Sequence, residues 1–218
     1  MLPLVRLPLI LASSSPRRRD LLAEAGFTFE IISPDGTEVE SSALSIAELT
    51  TCNATRKALA VARRYRNAVV IGADTLVSLD GQAVTKPRDF ADAVGILGRL
   101  NGKEHQVCTS VCLCSAIRGE MASFHVISNV QFHQLTDREI RNYLAKIDPL
   151  DKAGAYAAQR HGREIISAIR GSYTNVVGLP MDQTEGALAG FGITPKREGD
   201  SKSPAYSPPD LRRRTRSN

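Results

Sequence analysis

Six consecutive apolar residues, Ala68-Val69-Val70-Ile71-Gly72-Ala73, restrict the fold more than any other stretch of this chain. A strand with one face in water alternates polar and apolar side chains, whereas an unbroken apolar run of strand length has to be covered on both faces. Helices on both sides of a sheet provide that cover, and the rest of the sequence supplies them. Leu9-Ile10-Leu11-Ala12 reads as a second apolar strand, residues 17–25 as a helix stopped by Gly26, and residues 27–32 as a strand rich in Phe and Ile. Ile46, Leu49, Ala54, Ala58, Val61 and Ala62 recur at helical spacing, which predicts a long amphipathic helix over 45–65. Residues 75–79 and 82–85 flank Asp80-Gly81, a hairpin turn signal; a helix over 90–100 follows, then a long antiparallel pair over 105–116 and 120–133. A capped helix is expected from Thr136, a short element over 151–159, strand material within 165–177, and a closing helix from Pro180 to about Phe191. The fold class expected is α/β with mixed α+β character: a single domain over 1–195 with a central, strongly twisted mixed sheet flanked by helices.

The junction after the first strand carries chemistry. Ser13-Ser14-Ser15-Pro16-Arg17-Arg18-Arg19 takes the chain from a strand into a helix opened by proline, where free backbone N–H groups meet the positive end of the helix dipole. Arginines in a first turn oppose that dipole, so the pattern favours an anion site over an ordinary cap: Ser13, Ser15, Arg17 and Arg18 are candidate phosphate-binding residues. Asp74 ends the apolar run and is expected at the carboxyl end of its strand, where open α/β sheets place their ligands. Lys57 near the middle of the long helix and Lys86 on the second arm of the hairpin add cations, and Glu38 adds a carboxylate. Phosphates attract the cations, while carboxylates beside phosphates require a hard divalent ion between them, so the set points to metal-assisted phosphoryl chemistry with Mg²⁺ or Mn²⁺ as cofactor.

Other classes are excluded by what is missing. The sequence holds no G-x-x-x-x-G-K-S/T, no G-x-G-x-x-G and no G-x-S-x-G, which removes P-loop, dinucleotide-binding and nucleophile-elbow readings. Cys108, Cys112 and Cys114 fall on one face of a strand and no C-x-x-C pair occurs, the pattern of buried thiols in a reducing compartment. No run is long enough for a membrane span, and residues 1–11, interrupted by Pro3, Arg6 and Pro8, do not read as a signal peptide, so a cytoplasmic location is expected. Residues 196–218 hold seven basic residues against three acidic ones, with three prolines, and are expected to be a disordered basic tail. A nucleic-acid partner is disfavoured because the remainder of the chain is close to neutral.

Taken together, five blocks resemble the Maf family of nucleoside triphosphate pyrophosphatases. They are Leu11-Ala12-Ser13-x-Ser15-Pro16-Arg17-Arg18, Gly72-Ala73-Asp74-Thr75, Lys86-Pro87-Arg88-Asp89, Asp151-Lys152-Ala153-Gly154-Ala155-Tyr156-x-x-Gln159, and Gly171-Ser172-Tyr173 with Asn175-Val176-Val177-Gly178-Leu179-Pro180. The resemblance implies a Maf/inosine-triphosphatase-like fold and hydrolysis between the α and β phosphates, giving a monophosphate and pyrophosphate with a divalent cation. It implies that Asp74 accepts the proton of the attacking water, that Glu38 positions water or metal together with Asp74, and that Ser13, Arg18, Lys57 and Lys86 clamp the triphosphate. Arg17, Thr75 and Gln159 resemble the branch acting on dTTP and UTP, although Ala157 and Arg160 stand where that branch commonly has glycines. Two other readings stay open: a house-cleaning pyrophosphatase for 7-methyl-GTP or a damaged purine, and a nucleotide-sensing regulatory protein of cell division. The family resembled is often dimeric, which leaves a homodimer open.

Overall fold

The apolar run lies at the centre of the sheet. The structure, a computed structural model, describes residues 7–36 and 38–196. Strand β1 (Leu9–Ala12) leads through helix α1 (Pro16–Glu24) to β2 (Phe29–Ile31), and α2 (Ile46–Ala62) crosses back to β3 (Val69–Leu79). Then come β4 (Gln82–Val84), α3 (Phe90–Leu100), β5 (Glu104–Ser115), β6 (Glu120–Phe132), α4 (Asp137–Leu144), β7 (Ile166–Arg170), α5 (Tyr173–Val177) and α6 (Met181–Gly190). Seven strands among the described residues form one sheet in the order β2-β1-β3-β5-β6-β7, with β4 paired to β3. The β1–β2 and β1–β3 pairs are parallel and the rest antiparallel, so the sheet is mixed, as expected.

Alternation along β3 assigns its two sides. Val69 and Ile71 pack with Leu21 and Leu22 of α1 and Leu188 of α6, whereas Val70 packs with Ala54, Ala58 and Val61 of α2. Gly72 belongs to the α2 side, and only glycine fits there: a Cβ at this position would sit 2.5 Å from the Ala54 carbonyl oxygen and 2.7 Å from the Ala58 nitrogen. The missing side chain lets α2 approach the strand closely. A second apolar cluster gathers the far half of β3 with α3 and α4, through Val77, Leu79, Leu97, Leu100, Tyr143 and Leu144.

Two sequence expectations change in detail. The strand does not stop at Ala73: β5 pairs with it from Val70 to Ser78, and that non-local ladder carries it through Asp74 to Leu79. Asp74 therefore lies within β3. It still sits at the mouth of the sheet, because β1 runs parallel only as far as Ala12 opposite Gly72, and beyond that point β3 has lost its parallel neighbour. Within 165–177, the strand ends at Arg170; Gly171, at φ 112°, turns the chain, and Ser172 caps α5 by accepting from the Asn175 N–H. The hairpin forms as read, with φ of 51° at Asp80 and 79° at Gly81, the left-handed pair that a tight two-residue turn requires. All four cysteines are free, and Cys108, Cys112 and Cys114 are buried; burial pushes the Cys114 thiol up to about 12. No helix among the described residues is long and apolar enough to cross a membrane. The expectation for residues 196–218 lies, apart from Lys196, outside the described residues.

Candidate active site

At the mouth of β1 a cleft of about 1410 Å³ opens, more than the few hundred to roughly 1,000 Å³ of a usual small-molecule site. Its two walls descend from consecutive residues of β3 that point to opposite sides: Asp74 toward α2 and Thr75 toward α1.

The α1 wall is built by the serine turn. Ser15 is the extended residue before α1, but its side chain makes no capping bond; its N–H donates to Ser13 Oγ at 3.2 Å, and no acid stands in the first turn. Backbone N–H groups at the helix start keep no intrahelical partner. Arg18 is buried, 9% exposed, and donates three hydrogen bonds: Nε to the Gly178 carbonyl at 2.8 Å, Nη1 to Ser13 Oγ at 3.2 Å and Nη2 to Thr75 Oγ1 at 2.9 Å. A guanidinium has five N–H donors, so two remain, one on each terminal nitrogen. Burial lowers the Arg18 pKa and the Asp74 carboxylate opposes that shift. Arg17 reaches across to Asp151 at 3.2 Å, and Asp151 also bonds Lys152.

The α2 wall is acidic with one cation at its centre. Asn53 and Lys57, four residues apart on α2, both reach Asp74. Lys57 Nζ lies 2.6 Å from Asp74 Oδ1 and 2.6 Å from Glu38 Oε1, while Asn53 Nδ2 donates to Asp74 Oδ2 at 3.4 Å. Asn53 also pairs with both backbone groups of Val39, Val39 N–H donating to Oδ1 at 2.8 Å and Nδ2 donating to the carbonyl at 3.1 Å. That pairing fastens the loop holding Glu38 to the helix. Burial alone would raise the Glu38 carboxyl, but hydrogen bonding and charge from Lys57, then Lys86 and Arg18, hold it below the ordinary glutamate value. Lys86 approaches Glu38 Oε2 at 3.7 Å and is half exposed.

Most predicted site residues thus converge. Ser13, Ser15, Arg17, Arg18, Glu38, Lys57, Asp74, Thr75 and Lys86 all line the cleft. Gln159 does not line it. It is half-buried ahead of a 3-10 turn at Arg160–Glu164, its side chain makes no capping bond to that turn, and Arg160 beside it takes the left-handed conformation at φ 54°. Asn53 was missed in the sequence because a single asparagine inside an amphipathic helix carries no periodic signal. Gly72, a glycine in a buried strand, was the available pointer to where α2 comes close.

The donor set fits a divalent metal ion. Glu38 and Asp74 already converge on one cation, the Lys57 ammonium, and their oxygens are the hard ligands that Mg²⁺ prefers. Among the described residues no group of three or more His, Cys, Asp or Glu side chains could hold a metal ion, so the fit is to an ion carried by one or two carboxylates plus substrate oxygens.

A family model described as Maf-like protein matches residues 8–191, nearly the whole described chain. The chain belongs to the Maf-like protein family. Among its curated relatives, the dTTP/UTP pyrophosphatase of Akkermansia muciniphila is 44% identical over 185 residues, covering 85% of this chain and 97% of that protein. The dTTP/UTP pyrophosphatase of Symbiobacterium thermophilum is 46% identical over 185 residues, covering 84% of this chain and 94% of that one. The protein of that name from Vibrio cholerae is 44% identical over 184 residues, 84% and 97% of the two chains. The solved structure of the Staphylococcus aureus Ham1 protein aligns at 16% identity with a TM-score of 0.49, covering 84% of this chain and 99% of that one.

Proposed function

We propose that this Maf-like protein, a nucleoside triphosphate pyrophosphatase, acts on dTTP and UTP, with Asp74 as the proton acceptor. The curated relatives of that name support the substrate class. The observation that carries the reaction is the pairing of a buried carboxylate with a partly unused guanidinium at one cleft mouth: Asp74 is 4% exposed and Arg18 retains two free donors.

Water attacks the α phosphorus, the P–O bond from that phosphorus to the oxygen bridging to the β phosphate breaks, and pyrophosphate departs with the bridging oxygen and that bond's electron pair, leaving the monophosphate. Asp74 takes the proton released by the water, on a carboxylate that Lys57 Nζ and Asn53 Nδ2 hold in place. Arg18 supplies its two remaining N–H groups to phosphate oxygens, and Lys57, Lys86 and Ser13 complete the clamp that meets the charge growing on the leaving pyrophosphate. Arg17 commits one of its five N–H donors to Asp151, and its other donors can meet phosphate or base without breaking that pair. Glu38 and Asp74 are the residues that would hold a divalent ion. When bound there, such an ion supplies charge neutralisation for the phosphates and a Lewis acid for the transferred group.

Pyrophosphate release from dTTP, UTP, CTP, GTP, 7-methyl-GTP and ITP, measured with Mg²⁺ and with Mn²⁺, tests the reading. Preference for dTTP and UTP is the expected result. Preference for another base would keep the phosphate site and overturn the substrate, and no release with any nucleotide would overturn the activity.

A further inference from the structure

Behind Thr75 the hydrogen bonds continue into the protein and close on themselves. Arg18 Nη2 donates to Thr75 Oγ1 at 2.9 Å, Thr75 Oγ1 lies 2.9 Å from Thr109 Oγ1, and Thr109 Oγ1 donates to the Asn175 carbonyl at 2.9 Å. That carbonyl also accepts from the Gly178 N–H at 3.0 Å, and the Gly178 carbonyl accepts from Arg18 Nε at 2.8 Å, which completes a ring. Thr109 and Asn175 are both fully buried. The Asn175 side chain is itself held on three sides: Oδ1 accepts from the Thr109 N–H at 3.1 Å, and Nδ2 donates to the Val107 carbonyl at 3.0 Å and to Ser128 Oγ at 2.9 Å.

The carbonyl in the ring sets the direction of every proton. A carbonyl oxygen only accepts, so the one hydroxyl hydrogen of Thr109 is committed to Asn175. Thr109 then has to accept from Thr75, whose single hydrogen is committed in turn. Arg18 occupies one lone pair of Thr75, leaving a lone pair and no hydrogen. We infer that Thr109 is a positioning residue for Arg18: through Thr75 it aims the guanidinium's two free N–H groups at the cleft and makes Thr75 an acceptor there. Phosphate oxygens are repelled by that lone pair and are directed to the guanidinium. What lies against Thr75 is a hydrogen-bond donor of the nucleoside, a ring N–H or a sugar hydroxyl. The inference rests on the triphosphate reading of the cleft, since the charge that Arg18 receives is taken to be phosphate.

The test uses Thr109→Val, which keeps the shape and removes the hydroxyl, and Thr109→Ser, which keeps the hydroxyl. Affinity for inorganic pyrophosphate is measured by calorimetry, and kcat and KM are measured with dTTP. Thr109→Val is expected to lose about tenfold in pyrophosphate affinity and in kcat/KM, and Thr109→Ser to stay within about twofold of the unaltered protein. In a Thr75→Val background, Thr109→Val is expected to add less than about twofold, because the link through which it acts is already gone. Unaltered affinity in Thr109→Val would overturn the inference, as would an undiminished tenfold loss in the Thr75→Val background, which would mark a general packing role. If the unaltered protein released no pyrophosphate from any triphosphate, the function would fall, while the affinity series would still decide whether Thr109 positions Arg18.

Discussion

Asp74 and Thr75 are chain neighbours, yet the walls they found on the two sides of β3 handle charge in opposite ways. On the α2 side a single ammonium stands between two carboxylates, which leaves one negative charge over. On the α1 side a buried guanidinium donates, among the described residues, to neutral oxygens: a carbonyl and two hydroxyls. A cation held by neutral acceptors keeps its charge for an incoming anion, whereas the carboxylates of the α2 wall already share a cation. On the proposed reading, the proton acceptor and the threonine that bonds the phosphate-binding guanidinium lie one peptide unit apart on a single strand.

Removing the charge of one wall should therefore stop turnover without emptying the site. Asp74→Asn keeps the shape and loses the proton acceptor, and kcat for dTTP is expected to fall about a thousandfold. Affinity for a non-hydrolysable triphosphate analogue should stay within about threefold. Comparable loss in both quantities would mean that the acidic wall also carries binding, and the division between the walls would break.

The reverse pattern is expected on the α1 side. Arg18→Lys retains a positive charge, but one ammonium cannot reach three fixed acceptors and still present two donors to phosphate. Pyrophosphate affinity should drop about a hundredfold, with Ser13, Thr75 and the Gly178 carbonyl left short of a partner. Retained affinity would show that charge alone suffices and that the neutral cradle has no part in binding. Lys86→Ala sharpens the comparison from between the walls. This lysine is half exposed and its ion pair with Glu38 spans 3.7 Å, so its screened charge should be worth about tenfold or less in kcat/KM, shared between binding and turnover.

Half of this contrast was readable in the sequence. Hydrophobic periodicity located α2, and the unbroken apolar run located the centre of the sheet, because both are local patterns set by which faces are covered. Serine, proline and arginine at the start of α1 pointed to residues that line the cleft for the same reason: they are consecutive in the chain. Asp74 was recognised but placed at a strand end, since the ladder that extends β3 comes from β5, some thirty to forty residues farther along the chain. Asn53 and Thr109 were not singled out, and Asn175 stood in a family block without a role. Their roles exist only as hydrogen bonds to distant partners, and a polar residue inside an apolar pattern gives no sign of whether a partner awaits it. Gln159 shows the converse: it stands in a family block, yet the structure leaves it outside the cleft lining.

The smallest expected effect comes from the loop that bears Gln159, and it isolates the two walls from a third feature. Arg160 takes φ 54°, a left-handed conformation that L side chains with a Cβ adopt at a penalty of roughly 1 kcal/mol. Its side chain is exposed, so little packing offsets that strain. Arg160→Gly removes the clash while adding backbone freedom to the unfolded chain, and the balance at a left-handed position favours glycine. Unfolding in urea should therefore show a gain of up to about 1 kcal/mol. Pyrophosphate affinity and kcat should both stay unchanged if the walls on β3 hold the phosphates by themselves. A parallel shift of affinity with stability would instead tie this loop to phosphate binding.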